Sequence, residues 1–420
     1  MSDFLQKDNR QMVEQKILKY FPDTESYIAP ADNFLIYGTF GKENEPSYRR
    51  TIGYPLIIYI FKVTLGPYWY HGLVIFQILL GALIYPVAYG IGIAIFSSTR
   101  MIFYSIITLI LLGGYFTKSM NVLPDLTCAS FLLLGVYLSI ISVISRKSCL
   151  MMCSVIILSF AALIRPNLIL YPIVHFLLLL YVAKEHNLWT QIKTKRAIWA
   201  SSIVLLLMCN LSSLRIYGHY GIFSPTDILG INMFEYSVKE IMSRNEEEEK
   251  YLLWESEINA EDNSLTKDKL RKDRFFEAIS NHPKAAVSYW IDAAISHLVS
   301  PHYLRIGAVY GYYKRNKVTK NHHRLSESAF MRFVFYLSGF LNAIILLLGF
   351  LYLCHQVSKK EYLFVLVFLC LIFLIVGPSF LARTGPRVRL PVEPFLLILA
   401  VQYLEIKKNR ITCLVSTIYK

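Results

Sequence analysis

The residues best suited to chemistry lie in one polar stretch near the amino terminus, residues 22–56. It carries the carboxylates Asp23, Glu25 and Asp32, and it has Arg50 just before a Gly-Tyr-Pro turn. A positioned carboxylate can accept the proton of an attacking hydroxyl group, and an arginine can hold a phosphate through two parallel hydrogen bonds. Asp23 is the best candidate base; the plainer interpretation is an acid that complements a helix dipole. The other two acids are more typical of structural positions.

Further charges stand at the ends of apolar runs. Asp125 opens one run and Arg165 closes another. Arg383, Arg387 and Arg389 cluster before the last run, on the side where basic residues are normally scarce. These arginines would either bind a phosphate at the membrane surface or snorkel to lipid headgroups and pair with Asp125.

The composition shows what must position these residues. Of the 420 residues, 55% are hydrophobic and 17% are charged, whereas soluble domains have about 25% charged residues. This places the chain among membrane proteins, so its net charge of +14 indicates basic cytoplasmic loops and not nucleic-acid binding. The seven cysteines form no CxxC or Cys/His cluster, which favours buried hydrophobes over disulfides or zinc ligands.

Short helices are predicted before the first span. Residues 1–21 form an amphipathic helix, and residues 24–37 form a second one with Thr24 as its N-cap. Its inner face would contain Tyr27, Ala31, Phe34 and Leu35. Residues 52–65 predict a helix at the membrane interface that ends at Gly66-Pro67, because the run is short and interrupted.

The fold class predicted is an all-α polytopic membrane protein. Nine runs approach the roughly 20 apolar residues that a spanning helix needs. They are residues 70–96, 101–117, 123–144, 148–164, 167–183, 197–214, 330–354, 362–380 and 391–405.

The basic residues orient these spans. If the spans alternate, twelve basic residues fall on one side and five on the other, so the first side is cytoplasmic. The chain then divides into alternating regions. Two lie on the outer face, residues 1–69 and 215–329; each is followed by membrane-spanning helices, at 70–214 and 330–410; and residues 411–420 form a cytoplasmic tail. The first fifty residues contain no apolar run long enough for a signal peptide. We therefore expect either that the short head is translocated behind the first span or that a further N-terminal helix precedes it.

Several segments resemble GT-C glycosyltransferases, above all protein O-mannosyltransferases and the lipid A aminoarabinose transferase. Asp23-Thr24-Glu25-Ser26-Tyr27, then Ala31, Gly38 and residues 50–56, are similar to the first outer loop of that family. Residues 163–166, 214–224, 281–283 and 387–394 are similar to later elements. The chain departs from the family at Thr24, where many members have a second acid, and in lacking a span ahead of the Asp23 loop.

The resemblance implies an inverting transfer of a sugar from a polyprenyl-phosphate donor to a glycan, lipid or protein acceptor. The reaction would take place on the outer face of a bacterial inner membrane. Asp23 would be the base, and Asp125 would lie near the acceptor or have a supporting role. The phosphate would be held by Arg50, Arg165, Arg387 and Arg389, with Glu25, Tyr27, Tyr54 and Arg383 in support. No nucleotide is needed, and no cofactor is implied with certainty; a divalent cation stays possible.

Two other functions compete with this one. An O-antigen-type polymerase or ligase would place its chemistry on arginine and histidine in the large loop, where no histidine cluster is evident. A lipid-linked sugar flippase or exporter would need ionisable groups inside the spans, and the middles of the spans contain almost none.

Overall fold

The computed structural model describes thirteen parts of the chain: residues 22–41, 50–95, 102–103, 106–107, 109, 114–119, 122–185, 192–220, 226, 228–261, 264–299, 329–359 and 392–418. These parts are helical and contain no strand, as predicted. Three predictions fall outside them: the helix over 1–21, the span over 362–380 and the arginine cluster at 383–389. The predicted span over 101–117 is described only in pieces.

Two helices and a connecting turn form the head of the chain. They are α1 (Pro22–Tyr37), α2 (Gly53–Leu65) and a 3₁₀ turn at Gly66–Tyr68. Both helices are followed by a glycine in the left-handed region, Gly38 with φ 70° and Gly66 with φ 53°, where a side chain would be strained. The predicted end of α2 is confirmed.

Two details of the head helix were predicted wrongly. Thr24 is not the N-cap, because α1 already begins at Pro22 and the Thr24 hydroxyl donates to the carbonyl of Val122 instead. Leu35 is 45% exposed, because the face of α1 that packs on α2 turns away from it. Tyr27 and Ala31 are buried as predicted.

The apolar helices follow the head and make up most of the bundle. They are α3 (Trp69–Ile95), α4 (Gly114–Ser119), α5 (Pro124–Ser145), α6 (Ser148–Ile164), α7 (Tyr171–Glu185), α8 (Ile192–Tyr220), α14 (Ala329–Ser358) and α15 (Glu393–Ile418). The hairpin of α5 and α6 is central: α3 packs on α5, and both α8 and α2 pack on α6. Arg146 forms its turn with φ 53°. The observed α6 matches the predicted span, whereas α8 and α15 extend well beyond theirs.

Four described stretches are long and apolar enough to cross a membrane: Gly53–Ala94, Pro124–Ser145, Lys195–Gly218 and Gly339–Ser358. Their lengths and compositions are those of a helical membrane protein. The count of nine spans stays a prediction.

A second, polar group of helices follows α8. It contains α9 (Ile228–Asn232), a π-helical turn (Met233–Val238), α10 (Lys239–Ser243), α11 (Glu248–Ala260), α12 (Ser264–Asn281) and α13 (Pro283–Val299). These helices have a hydrophobic core of their own, with Phe234, Tyr251, Trp254 and Phe275 among its large members. We call residues 228–299 the polar helical unit.

Candidate functional site

The strongest sequence candidate, Asp23, is paired with an arginine from the other end of the head segment. Arg50 Nη2 donates to Asp23 Oδ1 at 3.3 Å, and Arg50 Nε donates to the Ser26 hydroxyl at 2.8 Å. The Ser26 hydroxyl donates in turn to the Asp23 carbonyl at 2.6 Å. The Asp23 side chain remains 43% exposed, so a substrate can reach a carboxylate that is held in a fixed orientation.

A second aspartate–arginine pair lies at the ends of two bundle helices. Asp125 is in the first turn of α5, and Arg165 follows the last residue of α6. Arg165 Nη1 lies 2.6 Å from Asp125 Oδ1, and the carboxylate is only 2% exposed. The neighbouring guanidinium compensates a charge that would otherwise be costly to bury.

Two threonines bring these pairs to the same end of the bundle. Thr24, next to Asp23, donates to the carbonyl of Val122 at 3.3 Å, three residues before Asp125. Thr51, next to Arg50, donates to the carbonyl of Ile164 at 3.3 Å, immediately before Arg165. The two ends of the head segment are therefore each fixed beside one member of the buried pair.

A glycine makes this close approach possible. A Cβ atom on Gly53 would lie 2.5 Å from the carbonyl carbon of Leu163. Only a residue without a side chain lets α2 begin this close to the end of α6. The four charged residues share one end of the bundle partly because Gly53 is small.

A series of contacts between aromatic and amide side chains begins at Arg50. The Arg50 guanidinium lies 4.5 Å from the ring centroid of Tyr27, and Tyr27 meets Tyr54 edge to face at 5.4 Å. The buried Tyr54 hydroxyl donates to Gln77 Oε1 at 2.9 Å, and Gln77 Nε2 donates to the Ser119 carbonyl at 3.0 Å. Tyr54 is also close enough to Asp125 to interact with it electrostatically. These contacts fix the Arg50 guanidinium in place.

The other predicted residues are placed differently. Glu25 is exposed on α1. Asp32 pairs with Lys62 at 2.5 Å and belongs to a separate contact between α1 and α2. Arg383, Arg387 and Arg389 lie outside the described residues. Within the described parts of the chain, no three histidine, cysteine or acidic side chains stand close enough to hold a metal ion.

Sequence reasoning missed the residues that position the site. Ser26 and Thr51 were not singled out, because their partners are 24 and 113 residues away and no local spacing predicts such contacts. Gln77 did carry a usable signal: it is the one amide side chain in the apolar run of α3, and a polar group there needs partners.

Comparison of the chain with protein-family models, with curated proteins and with solved structures finds no match. Function has therefore to be argued from the site. An exposed carboxylate oriented by an arginine, beside a buried carboxylate–arginine pair, has the groups needed to accept a proton and to neutralise an anion at an apolar boundary.

Proposed function

We propose that this chain is a membrane glycosyltransferase that moves a sugar from a polyprenyl-phosphate donor to an acceptor hydroxyl. The observation that carries the proposal is the convergence of the Asp23–Arg50 and Asp125–Arg165 pairs at one end of an apolar bundle. A donor with an anionic head and an apolar tail would need a charged site at such a boundary. The finer architecture, a GT-C-like bundle of nine spans with its site on the outer face, belongs to the same proposal.

The reaction divides the charged groups into two roles. Asp23 accepts the acceptor's hydroxyl proton while that oxygen bonds to the anomeric carbon. The carbon–oxygen bond to the phosphate breaks, and the configuration at the sugar inverts. The leaving polyprenyl phosphate gains negative charge, which fixed guanidinium groups stabilise. Arg165, Arg387 and Arg389 are the proposed phosphate ligands, with Arg383 in support, whereas Arg50 both orients Asp23 and faces the anion.

Asp125 has a supporting role in this proposal. Its carboxylate is buried against Arg165, which suits a residue that positions the guanidinium. An acceptor of unspecified class, whether glycan, lipid or protein, would enter beside the exposed Asp23. The donor supplies its own activated bond, so the reaction needs no nucleotide.

The test is transfer of a radiolabelled sugar from polyprenyl-phosphate donors in membranes that contain the full chain. We expect Asp23→Asn to reduce transfer at least about 100-fold, the usual contribution of a general base, while the protein stays folded. Asp273→Asn, the same chemical change at an exposed position of α12, serves as the matched control and should transfer normally. Full activity of Asp23→Asn would overturn the role of Asp23. Movement of the lipid-linked sugar across the bilayer without transfer would instead identify a flippase.

A further inference from the structure

The polar helical unit contains a cavity that the proposed reaction does not use. It has a volume of about 450 Å³ and lies between the π-helical turn, α10, α11 and α13. The buried rings of Tyr251 and Tyr289 form part of its wall, and the half-exposed Tyr236 stands at its edge. π-helical turns are rare and often occur at functional sites.

Carboxylates surround these aromatic rings. Glu235 reaches the cavity from the π-helical turn, Glu240 from α10, and Glu248 and Glu255 from α11. Lys239 is the single basic residue in the lining. The cavity therefore carries an excess of negative charge, and an anionic ligand such as a phosphate or a uronic acid would be repelled.

Two of the carboxylates are oriented by neighbouring hydroxyl groups. Glu255 accepts a hydrogen bond from the Tyr251 hydroxyl at 3.3 Å, and Glu248 accepts one from the Ser243 hydroxyl at 2.8 Å. Burial and the charge of Glu255 both raise the pKa of Tyr251, so its hydroxyl stays protonated as a donor. A carboxylate that accepts one such bond still has lone pairs for a ligand.

The aromatic wall already holds a cation from the chain itself. The Lys239 ammonium group lies 5.9 Å from the centroid of the Tyr251 ring, within the range of a cation–π contact. Phe234 stacks on the same ring at 5.1 Å, so the half-exposed Tyr236 offers the aromatic face that a ligand can reach. Aromatic faces attract organic ammonium groups. Metal ions fit less well, because no three of the acids in the described parts of the chain converge on one point.

The net charge of the polar helical unit has the opposite sign to that of the full chain. Residues 228–299 contain 14 acidic and nine basic side chains, whereas the full chain has a net charge of +14. Long-range attraction of a soluble cation to the whole protein is therefore weak, and any attraction is local to this unit.

From these observations we propose that the cavity binds an organic cation with primary or secondary ammonium groups. The half-exposed Tyr236 would contact the ammonium groups, and Glu235 and Glu255 would pair with them. The site is separate from the aspartate–arginine pairs, so this proposal stands or falls independently of the glycosyl transfer.

The test uses the full chain in detergent and follows spermidine binding by isothermal titration calorimetry at low salt. We expect saturable binding that weakens at least about fivefold in Glu235→Gln/Glu255→Gln, as loss of two partly exposed ion-pair partners predicts. Glutamine at 255 can still accept the Tyr251 hydrogen bond, so the fold is preserved. Glu249→Gln, which removes the same charge from α11 outside the cavity, should bind as the wild type does.

Three results would overturn the proposal. One is an absence of saturable spermidine binding to the wild type. Another is equal affinity in the wild type and the double variant, which would mean diffuse attraction. The third is binding of cellobiose or Mg²⁺ in the same cavity as tightly as spermidine, which would identify a saccharide or metal site instead.

Discussion

The two aspartate–arginine pairs differ in burial, and this difference separates their roles. Asp125 is 2% exposed, whereas the Asp23 side chain is 43% exposed. A buried carboxylate without its partner keeps an uncompensated charge, whereas an exposed one is stabilised by water. The Asp125–Arg165 pair is therefore enclosed by the packing, whereas the Asp23 carboxylate can be reached from outside the protein.

Removing one arginine from each pair should reveal this difference. We expect Arg165→Met to destabilise the protein by about 3–5 kcal/mol, since it leaves Asp125 buried and unpaired. Arg50→Met, the matched change at the pair whose carboxylate is exposed, should cost about 1 kcal/mol or less, since water can solvate Asp23. Thermal unfolding of both variants in detergent gives the comparison. The double variant Asp125→Asn/Arg165→Met should recover part of the loss, and equal losses in the two single variants would contradict the argument.

At the scale of single residues, the sequence shows which residues could do chemistry more reliably than it shows which residues contact each other. Asp23, Arg50, Asp125 and Arg165 are recognisable because charged residues in an apolar chain stand out. Their pairing was not predictable, because Asp125 and Arg165 are 40 residues apart and meet only when α5 and α6 pack side by side. From the sequence, Arg165 was expected to hold phosphate and Asp125 to lie near the acceptor, with Asp125 as an alternative partner of the arginines.

At the scale of elements, the position of α2 depends on a backbone contact. The first residue of α2, Gly53, lies against the carbonyl of Leu163 at the end of α6. Thr51 fixes the same junction with its hydrogen bond to Ile164. The two contacts together set where Arg50 lies relative to Arg165.

A methyl group at this junction should separate the two helices. Gly53→Ala would place a Cβ atom 2.5 Å from the Leu163 carbonyl carbon, so α2 has to move. We expect a loss of about 1–3 kcal/mol, as in other overpacked sites, together with a loss of transfer activity. Gly218→Ala in α8 is the control, because nothing lies within 4 Å of its added Cβ and alanine favours a helix by up to about 1 kcal/mol. A lower midpoint of thermal unfolding for Gly218→Ala than for Gly53→Ala would contradict this account.

Element boundaries could be predicted where apolar runs end in charge or glycine. The limits of α3, α5 and α6 agree with the predicted spans to within one residue. The prediction failed where helices continue through polar sequence: α15 extends past Lys407, Lys408 and Arg410 to Ile418. Hydropathy marks the part of a helix that can lie in lipid, not the part that is helical.

At the scale of the whole molecule, the orientation of the bundle decides which surfaces can meet a substrate. The basic residues predict that the head segment and the polar helical unit share the outer face. Asp125 stands at one end of α5, and Arg146 follows the other end. If α5 crosses the membrane, as its length and composition predict, markers at its two ends would report opposite sides.

Single cysteines in a background without the native cysteines would test this orientation. We expect cysteines at Glu25 on α1 and at Glu249 on α11, both exposed, to react with a membrane-impermeant maleimide in intact cells. A cysteine at Ser145, the last residue of α5 and also exposed, should react only after the membrane is opened. All three side chains are accessible in the folded chain, so differences in labelling report the side of the membrane and not burial. Labelling of the cysteines at positions 25 and 249 from opposite sides would place the polar helical unit and the aspartate–arginine pairs on different sides of the membrane.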